Sequence, residues 1–202
     1  MSTKPTLIIA TRNDGKFREI KAALSDLPFT IKSLRDFPKI GPIKESGTTF
    51  KDNALKKAWT VHKVVGGYVL ADDSGLVCDD LRGEPGVNSA YFAGPKATDE
   101  ENNAKLVSEM SQADDPSRSA RYVCVMALID PDKKETIVEE TCEGMIVLTP
   151  KGKGGFGYDP YFLLPDKNKT MAEISIEEKN RISHRGKALQ AIHKILNLSF
   201  PR

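Results

Sequence analysis

The sequence predicts an α/β protein built on one mixed β-sheet, and two features of the chain combine to predict it. Short apolar segments alternate with amphipathic helical segments in the first half of the chain. Strand-like segments then follow one another in the middle, where hairpins are expected. Parallel strands joined by helices and followed by antiparallel hairpins are typical of a mixed sheet flanked by helices. The central hairpins could form a second lobe that faces the first.

The composition is that of a soluble globular protein. Of the 202 residues, 39% are hydrophobic and 29% are charged, which suits one sizeable domain or two small lobes. A net charge of +2 provides no broad basic field, so neither a nucleic acid nor a membrane is expected as a partner. No apolar run is long enough to span a bilayer, and the first ten residues do not resemble a signal peptide.

The cysteines indicate a reducing compartment. Cys78, Cys124 and Cys142 are odd in number and lack the C-x-x-C spacing of a zinc site. This pattern argues against a disulfide framework and for a cytoplasmic location. We expect all three to be small core residues.

The secondary structure can be predicted in chain order. A buried strand over residues 6–10 leads through a polar loop to a helix that runs from Phe17 to about residue 26. An alternating strand follows, and Thr49 caps a long helix that ends at Gly66. The next strand reaches the sequence Asp-Asp-Ser-Gly, which we expect to form a turn. The later elements are a helix over 98–110, strands over 76–78, 119–129, 136–143, 145–148 and 161–164, and a helix from Ser175 through residue 196 that is interrupted near 183–186.

Two adjacent carboxylates at the end of a buried strand could hold a cation. Asp72 and Asp73 follow such a strand and precede Ser74 and a glycine. Oxygen ligands at the edge of a sheet bind Mg²⁺ together with substrate phosphates. An ordinary Asp/Ser/Gly turn is the alternative, and this stretch taken alone favours it. Glu45 would be a second metal ligand only if the fold brings it to Asp73.

The loop over residues 11–16 joins a strand to a helix, where backbone N–H groups favour a phosphate. It is not a Walker A loop, because Ala10 and Phe17 stand where that motif needs glycine and serine or threonine. It still offers short polar side chains, a glycine and a cation. An ordinary loop between a strand and a helix is an equally good interpretation.

A glycine-rich segment at 152–157 (GKGGFG) matches the dinucleotide fingerprint by letter only. That fingerprint must open a helix, whereas Pro160 biases the preceding residue towards an extended conformation. We therefore reject a Rossmann site. Phe156 lies on a flexible loop, as a platform for stacking one base would need, although a buried Phe156 is the alternative.

Three further residues near the C-terminal helix could act together. Lys179 and Arg185 are six residues apart, which would place them on different faces of an unbroken helix. An interruption near His184 would allow the two to converge. The alternative is a solvated helix end with basic residues against its dipole.

Taken together, these stretches resemble the inosine triphosphate pyrophosphatase family. Arg12 stands where some members have glycine, and Ser46 replaces a common threonine. The matching segments occur in the family's order and span nearly the whole chain: 11–16 (TRNDGK), 45–50 (ESGTTF), 52–54 (Asp, Asn, Ala), 71–75 (ADDSG), 85–86 (PG), 154–160 (GGFGYDP) and 182–188 (ISHRGKA).

The resemblance implies one domain over residues 1–202, with an elongated α/β fold, a central substrate cleft between two lobes and usually a homodimer. It implies Mg²⁺-dependent hydrolysis of non-standard purine nucleoside triphosphates (ITP, dITP and XTP) to the monophosphate and pyrophosphate. Asp73 would be the general base and a metal ligand, with Glu45 as the second ligand. The implied substrate contacts are Thr11, Arg12, Asn13, Asp14, Gly15 and Lys16 for the triphosphate, Ser74, and Phe156, Gly157, Tyr158, Asp159, Lys179, His184 and Arg185 for the nucleoside.

Two other functions remain open at this point. One is a triphosphate pyrophosphatase with a different base preference, and the other is a non-catalytic nucleotide- or RNA-binding module that uses Phe156. Water is the expected nucleophile, since Ser74 lacks the G-x-S-x-G elbow of a serine hydrolase.

Overall fold

A computed structural model describes residues 4–112 and 117–198 of the chain. Its seven described strands form one sheet in the order β2-β1-β3-β4-β5-β6-β7. The predicted α/β class with a mixed sheet flanked by helices is therefore confirmed. The strands are β1 (Thr6–Ile9), β2 (Thr30–Ser33), β3 (Tyr68–Cys78), β4 (Ser119–Ile129), β5 (Glu135–Ile146), β6 (Phe162–Leu164) and β7 (Lys169–Thr170); the helices are α1 (Asp14–Ala23), α2 (Phe50–Val65), α3 (Asp99–Met110), α4 (Ile176–Ile182) and α5 (His184–Leu198).

The sheet is parallel at one end and antiparallel at the other. β1 pairs in parallel with both of its neighbours, so that Ile8 lies opposite Lys32 of β2 and Val69 of β3. β6 pairs antiparallel with β5 and with β7. The strands that are joined by helices are thus the parallel ones. This is expected, because parallel neighbours need a crossover connection, which is usually a helix.

The chain divides into two compact units. The first unit contains residues 1–73, 124–139 and 188–202, and the second contains 74–123 and 140–187. In the first unit, apolar side chains of β1, α1 and α5 form a buried core that includes Leu7, Ile20 and Ile192. In the second unit, a separate core includes Leu106 of α3 and Phe162 of β6. Three strands, β3, β4 and β5, contribute residues to both units.

Two predicted strand boundaries were wrong. Residues 72–75 do not form a turn, because β3 continues through them to Cys78. The predicted strands 136–143 and 145–148 are one strand, β5, which ends at Ile146. In each case, pairing within the sheet overrides the local preference of Asp, Ser and Gly for turns.

The helix starts follow the predicted capping residues. The side chains of Thr49, Thr98 and Ser175 each accept a hydrogen bond from the backbone N–H three residues later. The first helix begins earlier than predicted, at Asp14, and Asn13 caps it. Within the described residues, no helix is both long enough and apolar enough to cross a bilayer.

Candidate active site

A buried lysine joins the two predicted metal ligands in the first unit. Nζ of Lys57 lies 2.9 Å from Oδ1 of Asp73 and 3.0 Å from Oε1 of Glu45. Lys57 and Asp73 are 7% and 5% exposed, whereas Glu45 reaches the group from an exposed loop. The fold thus meets the condition set from the sequence, since Glu45 and Asp73 converge on one point.

Asn53 holds this arrangement together. Its Nδ2 donates to Oδ2 of Asp73 at 3.2 Å, and its Oδ1 accepts from the backbone N–H of Gly47 at 2.8 Å. A side chain at Gly47 would collide with α2, because its Cβ would lie 2.7 Å from that of Asp52. Asn53 therefore fixes both the strand carboxylate and the loop that carries Glu45.

Sequence reasoning missed the roles of Asn53 and Lys57, although a signal was present. Both lie on the face of α2 that buries Ala54, Ala58 and Val61. Two polar residues four positions apart on an apolar helical face are costly unless they have buried partners. That cost was a reason to look for a charged partner in the neighbouring strand.

The charges of the cluster shift one another's titration. Burial alone lowers the pKa of Lys57, but the carboxylates of Asp72, Asp73 and Glu45 outweigh it and raise that pKa. Burial raises the pKa of Asp73, and Glu45 adds to this, against the opposing effect of Lys57. A lysine that stays protonated beside a carboxyl group of raised basicity is suited to phosphate chemistry.

Asp72 is separated from this cluster by the pleat of β3. Its Oδ2 lies 2.8 Å from Nζ of Lys16 on α1, whereas Asp73 contacts α2. Successive side chains of a strand point to opposite faces, so the two adjacent carboxylates form their ion pairs with different lysines, although Asp72 still acts on Lys57 through its charge. Of the two adjacent carboxylates, Asp73 therefore lies beside Glu45, whereas Asp72 holds Lys16.

The predicted phosphate loop is partly the first turn of α1. Asn13 is the cap, and its Oδ1 accepts from the backbone N–H of Lys16 at 3.0 Å. The hydroxyl of Thr11 accepts from the backbone N–H of Asn13 at 3.1 Å. A Cβ at Gly15 would lie 3.1 Å from Oδ1 of Asn13, so glycine leaves room for the cap. A capped helix start with polar, exposed residues can bind an anion.

Arg12 and Asp14, the other two residues predicted in this loop, have partners outside it. The guanidinium of Arg12 donates to the carbonyl oxygen of Ile40. Asp14 accepts from Nη2 of Arg35 at 2.7 Å, and both of these side chains are exposed. Arg12 thereby connects the predicted phosphate loop to the segment that precedes Glu45.

In the second unit, the predicted interruption of the last helix is confirmed and lies at Ser183. The φ and ψ angles of Ser183 are −70° and 158°, outside the helical region, and its hydroxyl accepts from the backbone N–H of Gly186. Ser183 therefore ends α4 and caps α5. Gly186 is needed because a Cβ there would lie 2.1 Å from the carbonyl oxygen of Asn180.

The break brings the two predicted cations to the same aromatic ring. Nζ of Lys179 lies 4.8 Å from the ring centroid of Phe156, and the guanidinium of Arg185 lies 5.7 Å from it. The ring of Phe156 is 42% exposed, which contradicts the buried alternative. Ser74 is also part of this group, since its hydroxyl accepts from Nη2 of Arg185 at 2.9 Å.

Asp159 is the buried centre of the same group. Its Oδ2 accepts from Nζ of Lys179 at 2.5 Å and from the backbone N–H of Phe156 at 3.0 Å, and its Oδ1 accepts from the hydroxyl of Tyr122 at 3.2 Å. The ring of Tyr122 also stacks on that of His184, with centroids 4.7 Å apart. Tyr122 was not among the residues predicted from the sequence, because an apolar strand gives no sign of its partner.

Gly157 and Tyr158, the remaining predicted contacts, shape the loop. The hydroxyl of Tyr158 donates to the carbonyl oxygen of Ser89 at 2.7 Å, and Tyr158 is buried. Gly157 has a φ of +60°, a conformation that favours glycine. These two residues support Phe156.

The donors around Asp73 fit a hard divalent cation. Two carboxylates already converge on one cationic group, the ammonium of Lys57. No cluster of three or more His, Cys, Asp or Glu side chains suited to a metal occurs among the described residues. Mg²⁺ binds in other proteins through one or two carboxylates and completes its shell with water and substrate phosphates, so the pair of Asp73 and Glu45 is chemically suited to it.

The chain is similar to known proteins over nearly its whole length. A dITP/XTP pyrophosphatase of Geobacter sulfurreducens is 50% identical over 183 residues, which cover 91% of this chain and 92% of that protein. One of Desulforamulus reducens is 46% identical over 191 residues, covering 95% of each. The solved structure of a HAM1 protein from Coxiella burnetii matches with a TM-score of 0.90 at 39% identity, covering 96% of this chain and 99% of that one. The model of the Ham1 family matches residues 7–195. The family resemblance seen in the sequence is confirmed: this chain belongs to the Ham1 family.

Proposed function

We propose that this protein hydrolyses dITP, XTP and ITP to the nucleoside monophosphate and pyrophosphate, with Mg²⁺ as the cofactor. The predicted enzyme class, a nucleoside triphosphate pyrophosphatase, is supported by its relatives, which are dITP/XTP pyrophosphatases. The observation that carries the proposal is the convergence of Glu45, Asp73 and Lys57. Two carboxylates and a buried ammonium form a set that can hold a metal, a water molecule and phosphoryl oxygens.

The triphosphate is bound by the start of α1 and by two lysines. The first-turn N–H groups and the helix dipole attract phosphate oxygens, and Lys16 adds a positive charge beside them. Lys57 is held in its charged form by the neighbouring carboxylates. These cations stabilise the negative charge that grows on the phosphoryl oxygens and on the leaving pyrophosphate.

Glu45 and Asp73 would hold Mg²⁺. The bound metal would supply Lewis acidity towards the phosphate oxygens and charge neutralisation. In the protein alone, the ammonium of Lys57 lies against both carboxylates and holds them in place.

Asp73 is the base in this scheme. Its raised pKa makes it a better proton acceptor than an ordinary aspartate at neutral pH. The amide of Asn53 fixes one of its oxygens, which leaves the carboxylate oriented. Asp73 would take the proton of the water that attacks the α-phosphorus.

The nucleoside is bound by the group around Phe156. The exposed ring offers a stacking surface, worth about 1–3 kcal/mol per base. Hypoxanthine and xanthine present an acceptor at C6, whereas adenine presents an amino group. Donors on Lys179, Arg185 or the backbone would pair with the first and be left unpaired by the second, and such a site can discriminate by about 10⁴-fold.

A homodimer and a cytoplasmic location complete the proposal. The dimer follows from the resemblance and the location from the cysteine pattern and composition. Sedimentation equilibrium of the purified protein tests the dimer directly, and a single species with the mass of one chain would contradict it.

A substrate panel tests the function. The protein is incubated with dITP, XTP, ITP, ATP, GTP and modified pyrimidine nucleoside triphosphates, with and without Mg²⁺, and pyrophosphate and orthophosphate are measured separately. We expect pyrophosphate as the first product, a preference for the first three nucleotides, and activity only with Mg²⁺. Orthophosphate as the first product would place the cut at the terminal bond and contradict the proposal. A preference for modified pyrimidine nucleotides would support the other-base alternative instead.

A further inference from the structure

Two side chains of α3 bind the loop that carries Phe156, and both bond to the backbone of Gly157. Oδ2 of Asp99 accepts from the N–H of Gly157 at 2.7 Å. Nδ2 of Asn103, one helical turn further along α3, donates to the carbonyl oxygen of Gly157 at 2.9 Å. Residues four apart lie on the same helical face, so the two side chains act on Gly157 as a pair. We call Asp99 and Asn103 the α3 clamp.

The loop needs such support because its backbone is unusual. Gly155 and Gly157, on either side of Phe156, have φ angles of +75° and +60°. Glycines lose more conformational freedom on ordering than other residues. Between them, the backbone N–H of Phe156 is bonded to Asp159, on the inner side of the loop. The α3 clamp holds the next residue, so Phe156 is fixed on both sides.

The hydrogen bonding of Asn103 indicates that folding stability alone does not explain why an asparagine occupies this position. The residue is only 8% exposed, yet its Oδ1 is buried and has no protein hydrogen-bond partner within residues 4–112 and 117–198. A buried amide with one unmet acceptor contributes little to folding, and an apolar side chain would serve a core better. What Asn103 does supply is one well-placed donor to Gly157.

We propose that Asp99 and Asn103 are positioning residues for nucleoside binding. The α3 clamp holds the loop so that the exposed ring of Phe156 is already in place when the base arrives. A loop that is already ordered raises the affinity for the base, because binding then costs less conformational entropy. The inference rests on the proposed function in one respect only, that the base stacks on Phe156.

The test measures, for each variant, the binding of a ligand that carries the base and of one that does not. Asp99→Ala and Asn103→Ala each remove one bond to Gly157, and Asp99→Asn keeps an oxygen that can accept it. Glu100→Ala, an exposed acid beside Asp99, is the surface control. Asn102→Ala removes a buried amide of the same helix, whose bonds go to Ala90 and Ala93 instead, and so controls for a weakened α3.

We expect Asn103→Ala to raise KM for dITP and the inhibition constant of dIMP by about 2–12-fold, the range for one lost neutral hydrogen bond, and Asp99→Ala to raise both by at least as much, because its carboxylate is a charged acceptor. Their kcat and the inhibition constant of pyrophosphate should stay within about twofold of the parent, since pyrophosphate carries no base. Asp99→Asn should restore much of the affinity, and both controls should resemble the parent.

If the inhibition constant of dIMP is the same in both clamp variants as in the parent, the inference is overturned. An equal rise for pyrophosphate, or an equal rise in Asn102→Ala, would also overturn it, because a general loss of structure would then explain the effect. If the parent fails to release pyrophosphate from dITP, the proposed function falls. Calorimetric titration of dIMP into the same variants then decides the inference, and a parent that binds no dIMP overturns it.

Discussion

Nζ of Lys57 lies between the carboxylates of Asp73 and Glu45, at 2.9 Å and 3.0 Å. Three elements therefore meet at this point. The strand β3 and the loop before α2 each contribute a carboxylate, and α2 contributes the ammonium group. The ammonium of Lys57 offsets the electrostatic repulsion between the two carboxylates.

Replacement of Lys57 should impair the chemical step. In the proposed scheme Lys57→Met removes the charge that would stabilise the phosphoryl oxygens, so we expect kcat for dITP to fall by about 10²-fold or more. Lys63→Met, which changes an exposed lysine of the same helix, is the matched control and should leave kcat unchanged. A rate for Lys57→Met within threefold of the parent, with an unchanged urea midpoint, would exclude the role.

Asp73→Asn should separate binding from turnover. The amide keeps the shape of the carboxylate but cannot accept the proton of water, so we expect kcat to fall by about 10²–10⁴-fold. Binding of dIMP, measured by calorimetry, should persist. Asp52→Asn makes the same chemical change at an exposed position of α2 and should be neutral. A parent without turnover and a variant with undiminished binding would instead favour a non-catalytic binding module.

Phe156→Ala should weaken nucleoside binding selectively. The loss of a stacking surface is worth about 1–3 kcal/mol, which should appear as a higher KM for dITP and a higher inhibition constant for dIMP. Tyr91→Ala removes another exposed aromatic side chain of the second unit and is the control. If KM is the same in Phe156→Ala and the parent, the base does not stack on this ring.

Tyr122→Phe should change how stability depends on pH. Burial, then the carboxylate of Asp159, raises the pKa of Tyr122 well above its usual value near 10. The folded state therefore favours the neutral phenol. The stabilisation of the fold by the neutral Tyr122 phenol is fully present below pH about 10 and is lost as the pH rises further.

The parent should therefore lose more stability than Tyr122→Phe between pH about 9 and 11. At pH 8 the variant should be less stable, by about 1.5–3 kcal/mol for a bond to a charged group. Urea midpoints of both proteins at pH about 8, 9 and 11 measure the difference. Parallel pH curves for the two proteins would contradict it.

Much of this molecule could be predicted because local and tertiary preferences agree. Thr49 and Ser175 cap helices in isolation as well as in the fold, and a hydroxyl at Ser183 can end one helix and start the next. The break at Ser183 was the condition for Lys179 and Arg185 to converge, and it could be read from the sequence alone.

The rest depended on partners that are distant in the chain. The acidic segment of β3 has the composition of a turn, but Lys16 and Lys57 neutralise Asp72 and Asp73 and allow an extended strand. The roles of Lys57 and Tyr122 likewise come from residues 16 and 37 positions away. A pattern of hydrophobicity records that a residue is buried, but not which polar group it meets.

The three cysteines have a practical consequence. None of the three forms a disulfide and all are buried, and burial raises the pKa of Cys78 to about 12 and that of Cys142 above its ordinary value. Since the thiolate is the reactive form, the folded protein should react with maleimide only after denaturant is added. A single thiol introduced on an exposed loop could then carry a fluorescent probe without removal of the native ones, and ligand binding could be followed in real time.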